Sequence, residues 1–122
     1  VLCPANDEYQ PSIRLLNIED PAQPFVEREL SLPKGRYADI EAVGDDLFTV
    51  GFDNSTYRST LMKRPLNLSD HKPPFVEWDG HANELIVFGD YILVADGDHG
   101  LMAFRRSDLQ PADIDIMFGA SN

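Results

Sequence analysis

Two patterns recur along this chain of 122 residues and limit the folds that are open to it. The tetrapeptide Pro-Phe-Val-Glu stands at 24–27 and again at 74–77, 50 residues later. The segments "GDDLFTVGFD" at 44–53 and "GDYILVADGD" at 89–98 align with an offset of 45 residues. Each unit combines a Gly-Asp corner, β-rich runs, an acidic turn and an Asp-to-Pro corner. Four short strands in such a period are typical of one β-propeller blade.

Helices are disfavoured throughout the chain, because nine prolines and eight glycines interrupt it and no stretch keeps a helical apolar period. We predict an all-β protein whose propeller blades have four antiparallel strands. The predicted strands number eleven, one fewer than three full blades contain, since the first strand of the first unit is missing. The units are an incomplete blade at 1–33, a second blade at 34–80 and a third at 81–122. The strands are predicted at 1–5, 13–18, 25–30, 37–43, 46–53, 59–64, 74–79, 83–88, 91–96, 100–105 and 112–118.

Fewer than three blades form only an arc, and this arc cannot close a ring, because known propellers have about four to eight blades. Its outer faces and edges would invite association. We therefore expect an incomplete propeller, either a fragment of a longer polypeptide or one chain of a larger ring formed with a second chain or with copies of itself. An open sandwich is the alternative fold, and the regular spacing makes it the weaker one.

Aromatic residues are expected to fill the space between facing blades, where large flat side chains pack well. The residues assigned this role are Phe25, Phe48, Phe75, Trp78 and Phe88.

The charge of the chain excludes two classes of partner. Ten Lys and Arg against 21 Asp and Glu give a formal net charge of −11, which repels phosphate backbones and anionic headgroups. The basic runs "MKR" at 62–64 and "FRR" at 104–106 are too short to compensate. No apolar run approaches the roughly 18 residues of a membrane helix. We expect neither nucleic acid binding nor a membrane span.

The third unit carries the most specific pattern. "GDYILVADGDHGLMAF" at 89–104 is followed by the corner "SDLQP" at 107–111, and in this order it resembles the LVIVD repeat, a β-propeller family. The second unit departs from that pattern with "GFDNSTYRSTL" in place of the tight corner, and the first unit carries an insertion. The resemblance implies the propeller fold. It does not specify an activity, since members of such families range from adhesive surface modules to lobes of enzymes.

The acidic corner "ADGDHG" allows two interpretations. Asp96, Asp98 and His99 could form a cation site, because hard ions such as Ca²⁺ bind several oxygens and alternating acids supply them. The interpretation we favour is a turn in which Gly97 and Gly100 take positive φ and the Asp side chains accept hydrogen bonds from turn amides. The corner lacks the full loop pattern of an EF-hand.

Arg36 and His81 hold equivalent places, each just before the innermost strand of a blade. Residues at blade tops can face the central channel, so we predict both as ligand-binding residues at the channel mouth. A mouth of mixed charge suits a small polar or anionic ligand. Channel histidines can also hold copper, but no histidine has ligand spacing with another, and an ordinary loop role is favoured. We predict no cofactor, with calcium or copper as alternatives.

Two functions from different classes remain. The first is a non-catalytic binding or scaffolding module that recognises a protein or a small polar ligand; an extracellular, cell-surface or periplasmic location is favoured. The second is a partial chain of a propeller enzyme, a metal- or quinone-dependent oxidoreductase or a hydrolase, with its site at the central channel. The sequence has no nucleophile elbow, phosphate loop, His-Glu-x-x-His or cysteine pair, so it does not decide between an enzyme and a binding protein.

Overall fold

The computed structural model describes residues 2–5, 11–32, 35–53, 56–67 and 73–113, which form eleven β-strands and no helix. The strands make three antiparallel sheets, and within each sheet every strand pairs with the next along the chain. Sheet 1 contains β1 (Leu2–Ala5), β2 (Ser12–Asn17) and β3 (Phe25–Ser31). Sheet 2 contains β4 (Arg36–Val43), β5 (Asp46–Asp53), β6 (Arg58–Pro65) and β7 (Phe75–Asp79). Sheet 3 contains β8 (Ala82–Phe88), β9 (Tyr91–Asp96), β10 (Gly100–Arg105) and β11 (Pro111–Ala112).

The all-β class and the four-stranded antiparallel sheets are as predicted, and their open arrangement is that of an incomplete propeller. The strands of each sheet fall within one of the three sequence units. The last strand is shorter than expected: β11 ends at Ala112, and 114–118 of the predicted strand lie outside the described residues.

The first two strands of sheet 2 and the first two strands of sheet 3 form equivalent hairpins. Val43 pairs with Asp46, and Phe88 pairs with Tyr91, so each hairpin has a two-residue Gly-Asp loop. The loop glycines, Gly44 and Gly89, have φ of 58° and 57°. A glycine of positive φ at the first loop position is what a type II′ turn requires, and this turn matches the twist of the paired strands.

A shared irregularity marks the first strand of both sheets. The pairing of β4 with β5 shifts between Tyr37 and Asp39, and that of β8 with β9 shifts between Ala82 and Glu84. These positions are 45 residues apart, the offset of the sequence repeat. Because such a bulge bends a strand and increases its twist, both sheets are shaped alike where β4 and β8 pack together.

The larger core lies between sheets 2 and 3. Its fully buried members come from alternate positions of the central strands, since successive side chains of a strand point to opposite faces. Trp78 packs on this core, with its ring 5.2 Å from that of Phe104. The buried residues are Phe48, Val50 and Leu61 of sheet 2 and Ala82, Leu85, Ile92, Val94 and Phe104 of sheet 3, together with Leu109.

A smaller core joins sheets 1 and 2. Ile13 and Leu32 pack with Leu47, and all three are buried. Leu47 precedes Phe48, which faces sheet 3, so β5 presents apolar side chains to both neighbouring sheets. Sheet 2 is therefore the middle layer of the described structure.

Polar groups also tie sheet 2 to sheet 3. The hydroxyl of Ser59 is fully buried; it donates to the carbonyl of Gly80 at 3.0 Å and accepts from the amide of Ala82 at 2.9 Å. Nearer the middle of the first strands, Oδ2 of Asp39 accepts from the amide of Leu85 at 3.0 Å. These directional bonds fix how β8 lies against sheet 2.

The predicted packing of the aromatic residues is only partly right. Phe48 is buried, and Trp78 contacts the core as expected. Phe25 and Phe75 are each 57% exposed and Phe88 is 49% exposed, so these three do not fill a described interface. Phe25 and Phe75 begin the outermost strands of sheets 1 and 2, and Phe88 lies at the end of β8.

Replacing Gly89 or Gly44 with alanine should lower the free energy of unfolding by about 1 kcal/mol, because an L-residue is strained at positive φ. The added Cβ would meet nothing within 4 Å at either position, so the cost is conformational only. Gly97→Ala is the control: its φ is not in this region and its Cβ would make ordinary contacts at 3.6 Å. Urea unfolding of the three variants checks this; equal losses in all three would contradict it.

Candidate functional site

The predicted site residues lie at one end of sheets 2 and 3, where β4 and β8 begin, which we name the mouth end. Arg36 is the first residue of β4 and pairs with Phe52. His81 directly precedes β8, whose first residue, Ala82, pairs with Asp96. The structure thus places Arg36 and His81 at the same end of adjacent sheets, as the repeat predicts.

Asp96 accepts four hydrogen bonds from described residues at the mouth end. Its Oδ1 accepts from the amides of Asp98 at 2.7 Å and of His99 at 3.0 Å. Its Oδ2 accepts from the indole Nε1 of Trp78 at 2.7 Å and from the amide of His81 at 3.1 Å. A carboxylate has about four lone-pair sites, and these four donors use them.

The protonation of Asp96 follows from this environment. Burial by itself raises the pKa of the carboxyl, but the hydrogen bonds from Trp78 and from the amides of Asp98, His81 and His99 favour the charged form. The net effect is a pKa below the ordinary value for aspartate. Asp96 is thus a buried anion that holds the β9–β10 turn against β7 and the start of β8.

The side chains of the other two residues of the proposed cation site do not converge with Asp96 on a metal position. Asp98 and His99 are exposed, and both give their backbone amides to Asp96. The ring Nε2 of His99 lies 2.6 Å from the carbonyl of Asp79. Among the described residues, no group of three or more His, Cys, Asp or Glu is arranged to hold a metal ion.

The backbone of this corner differs from the prediction at one position. Gly100 has φ of 73°, as expected for the turn, but Gly97 does not take positive φ. Its amide donates to the carbonyl of His81 at 2.8 Å, directly beyond the last residue pair of β8 and β9. The turn lies between Asp96 and Gly100, as predicted, but only Gly100 has positive φ.

An aromatic cluster that the sequence reasoning missed adjoins His81. The imidazole of His81 stacks on Phe52, with ring centroids 4.7 Å apart and planes 20° apart. Tyr57 meets Phe52 edge-on at 6.4 Å and is 73% exposed. These rings, with Asp79, Gly80, Asp98 and His99, line an open recess of about 470 Å³.

The signal for this recess was present in the sequence. The corner that carries Tyr57 replaces the tight acidic corner of the third unit with a longer segment, "GFDNSTYRSTL". A longer corner can place an aromatic ring over the neighbouring sheet. The φ of 57° at Tyr57 is uncommon outside glycine and shows that the backbone turns sharply at this residue.

Arg36 lines a second recess of about 360 Å³, which also includes Phe52. Arg58 borders the same recess and is held by two acidic partners of β7: its Nε lies 3.7 Å from Glu77 and its Nη1 3.0 Å from Asp79. Arg36 and His81 therefore line separate recesses that share Phe52, rather than one joint site.

Comparison with known proteins gives no match among protein-family models, curated proteins or solved structures. Within the described ranges, no helix has the length and apolar character needed to cross a bilayer.

Asp96→Asn should lower the free energy of unfolding by about 2 kcal/mol near neutral pH, because it weakens several hydrogen bonds to a buried anion. Since the folded-state pKa of Asp96 is depressed, its contribution is complete above the unfolded-state value of about 3.9 and is lost as the pH falls through the folded-state pKa. The difference from the unmodified protein should shrink in acid, as measured by urea unfolding from pH 7 to pH 3. A difference that does not change with pH would contradict this role.

Adding calcium should leave the melting temperature unchanged, because the oxygens of Asp96 already accept four hydrogen bonds. Thermal unfolding at increasing calcium, with magnesium as the control ion, measures this. A calcium-specific rise of several degrees would instead support the cation site at Asp96, Asp98 and His99.

Proposed function

We propose that this chain is an arc of a larger β-propeller and acts as a non-catalytic binding or scaffolding module of an exported or surface protein. One observation carries the proposal: Leu101 and Phe88 on the outward face of sheet 3 are exposed, whereas their counterparts in sheet 2, Leu61 and Val43, pack against sheet 3. The correspondence follows from strand pairing.

Leu101 and Leu61 illustrate the correspondence. Leu61 pairs with Val50, and Leu101 pairs with Ala95, which is 45 residues after Val50. Leu61 is fully buried beneath sheet 3, whereas Leu101 is 45% exposed. The same residue type at the same place in two sheets thus differs in burial, because among the described residues only the face of sheet 2 has a neighbouring sheet.

Other apolar residues extend the open face. Ile86 pairs with Leu93, which points away from the core between sheets 2 and 3, and Ile86 is 49% exposed. Phe88 is also 49% exposed and is the counterpart of Val43, which packs against the core. Leu93 and Ala103 at the centre of this face are buried, and exposed apolar side chains around them favour an interaction surface. The partner that fits it is another four-stranded sheet of the same repeat.

Sheet 1 points to the same partner. It has three strands among the described residues and lacks a counterpart of β4 and β8, the first strands of sheets 2 and 3. The rest of the propeller, whether from the same protein or from a second chain, would supply both the missing strand and the covering sheet. The LVIVD resemblance supports this arrangement.

The binding surface is proposed at the mouth end. The recess with His81, Phe52 and Tyr57 offers exposed rings between two acidic residues, and the neighbouring recess offers Arg36. Such a combination suits a protein loop or a small polar ligand, because apolar ring faces supply contact area and the charged groups fix orientation.

The proposal is tested by the association of the purified chain. The chain should self-associate with rising concentration through the open face of sheet 3, as measured by light scattering and sedimentation. Leu101→Glu should weaken association by about tenfold or more, because it places a charge in the interface. Phe75→Glu on sheet 2 is the control, since Phe75 is 57% exposed and lies on the outermost strand of the middle sheet.

A monodisperse monomer at all concentrations, unchanged by Leu101→Glu, would contradict the arc. Metal analysis of the same material addresses the class of function. Stoichiometric copper, iron or calcium would contradict the non-catalytic module and favour the propeller enzyme.

A further inference from the structure

Arg64 is a buried arginine between sheets 1 and 2. It is 8% exposed, and it pairs across β5 and β6 with Leu47, whose side chain packs against Ile13 and Leu32. Residues opposite each other in an antiparallel pair share a face, so the aliphatic part of the Arg64 side chain lies in the same apolar layer. Arginine is rarely this buried unless it is paired.

The equivalent position in sheet 3 has an apolar residue. Phe104 pairs with Ile92, which is 45 residues after Leu47, so Phe104 is the counterpart of Arg64. Phe104 is 2% exposed and packs on Trp78. An apolar side chain therefore suffices for the architecture at this place in the repeat, and the arginine calls for another explanation.

Two of the three guanidinium nitrogens have no strong acceptor among the described residues. Its Nη2 donates to the thioether sulfur of Met62 at 3.2 Å, a weak acceptor, and its Nε has no partner. No carboxylate of the described residues forms an ion pair with Arg64. Burial lowers the pKa of this guanidinium and raises the pKa of the nearby Tyr37 to about 12.

A second unsatisfied group lies beside Arg64. Thr49 is 2% exposed, and its Oγ1 has no hydrogen-bond partner. Thr49 pairs directly with Met62, the residue that the guanidinium contacts. Thr49 and Arg64 are therefore diagonal neighbours on one face, and both present unused donors to the same layer.

A buried charge without a counter-ion is strongly destabilising, because desolvation is not offset by any attraction. The donors of a guanidinium match the oxygens of a carboxylate, and a hydroxyl can add a further bond. The net charge of −11 favours a singly charged group over a multiply charged phosphate.

We propose that Arg64 and Thr49 are the protein side of a buried carboxylate-binding site between sheets 1 and 2. The carboxylate comes either from a small acid in solution or from an acidic side chain of the protein. In both cases the carboxylate accepts hydrogen bonds from the two unsatisfied groups. It also adds an electrostatic interaction to the apolar contacts between sheets 1 and 2.

The test replaces each donor by an apolar residue of similar shape in the full chain. Arg64→Met and Thr49→Val should each lower the melting temperature, by several degrees for Arg64→Met and by less for Thr49→Val. Arg14→Met is the control, because Arg14 is about half exposed in its ion pair with Glu29 and should change little. If either site variant is as stable as the unmodified protein or more stable, the proposal is wrong, since that is how removal of an uncompensated polar group behaves.

Titration with acetate at constant ionic strength separates the two sources. A rise in the melting temperature of the unmodified protein that is absent in Thr49→Val identifies an acid from solution. Destabilised variants without any dependence on acetate identify a carboxylate of the protein. If Arg64→Met does not fold, Thr49→Val decides alone: lower stability supports the site, and unchanged or higher stability overturns it.

Discussion

Sheet 2 has apolar side chains on both faces, and it stays out of water only because sheets 1 and 3 cover it. Phe48 and Leu47 are neighbours in one strand, yet each belongs to a different core. A sheet of this kind is stable only within a stack, because each face needs a partner of matching shape. The exposed face of sheet 3 and the mouth end are both consequences of this layered construction.

The mouth end depends on polar contacts that hold the layers at a fixed angle. Ser59 joins β6 to the start of β8, and Asp96 gathers Trp78 and the β9–β10 turn around one buried carboxylate. Directional bonds of this type position His81 over Phe52, which apolar packing alone would not do, because apolar contacts are not directional. The aromatic recess is therefore built on a hydrogen-bonded support, which the proposed recognition surface would need.

The strands could be predicted because corner residues are local signals: a Gly-Asp loop favours a hairpin wherever it occurs. The order of the strands in each sheet followed from the repeat of these corners along the chain. The positions of Arg36 and His81 followed from the same repeat. The exposure of Phe25, Phe75 and Phe88 could not be predicted, since it depends on which faces have a neighbour. Tyr57 was missed because its corner breaks the repeat, and Arg64 was missed because a lone arginine in an alternating strand looks solvent-facing in the sequence.

The matching bulges in β4 and β8 have a geometric consequence. They bend the two sheets alike along the seam where β4 and β8 pack together. A further sheet with the same bulge in its first strand could therefore pack on sheet 3 as sheet 3 packs on sheet 2. Head-to-tail stacking gives a ring when the rotation from sheet to sheet closes and an open helix when it does not, so the angle between β4 and β8 would decide which of the two forms.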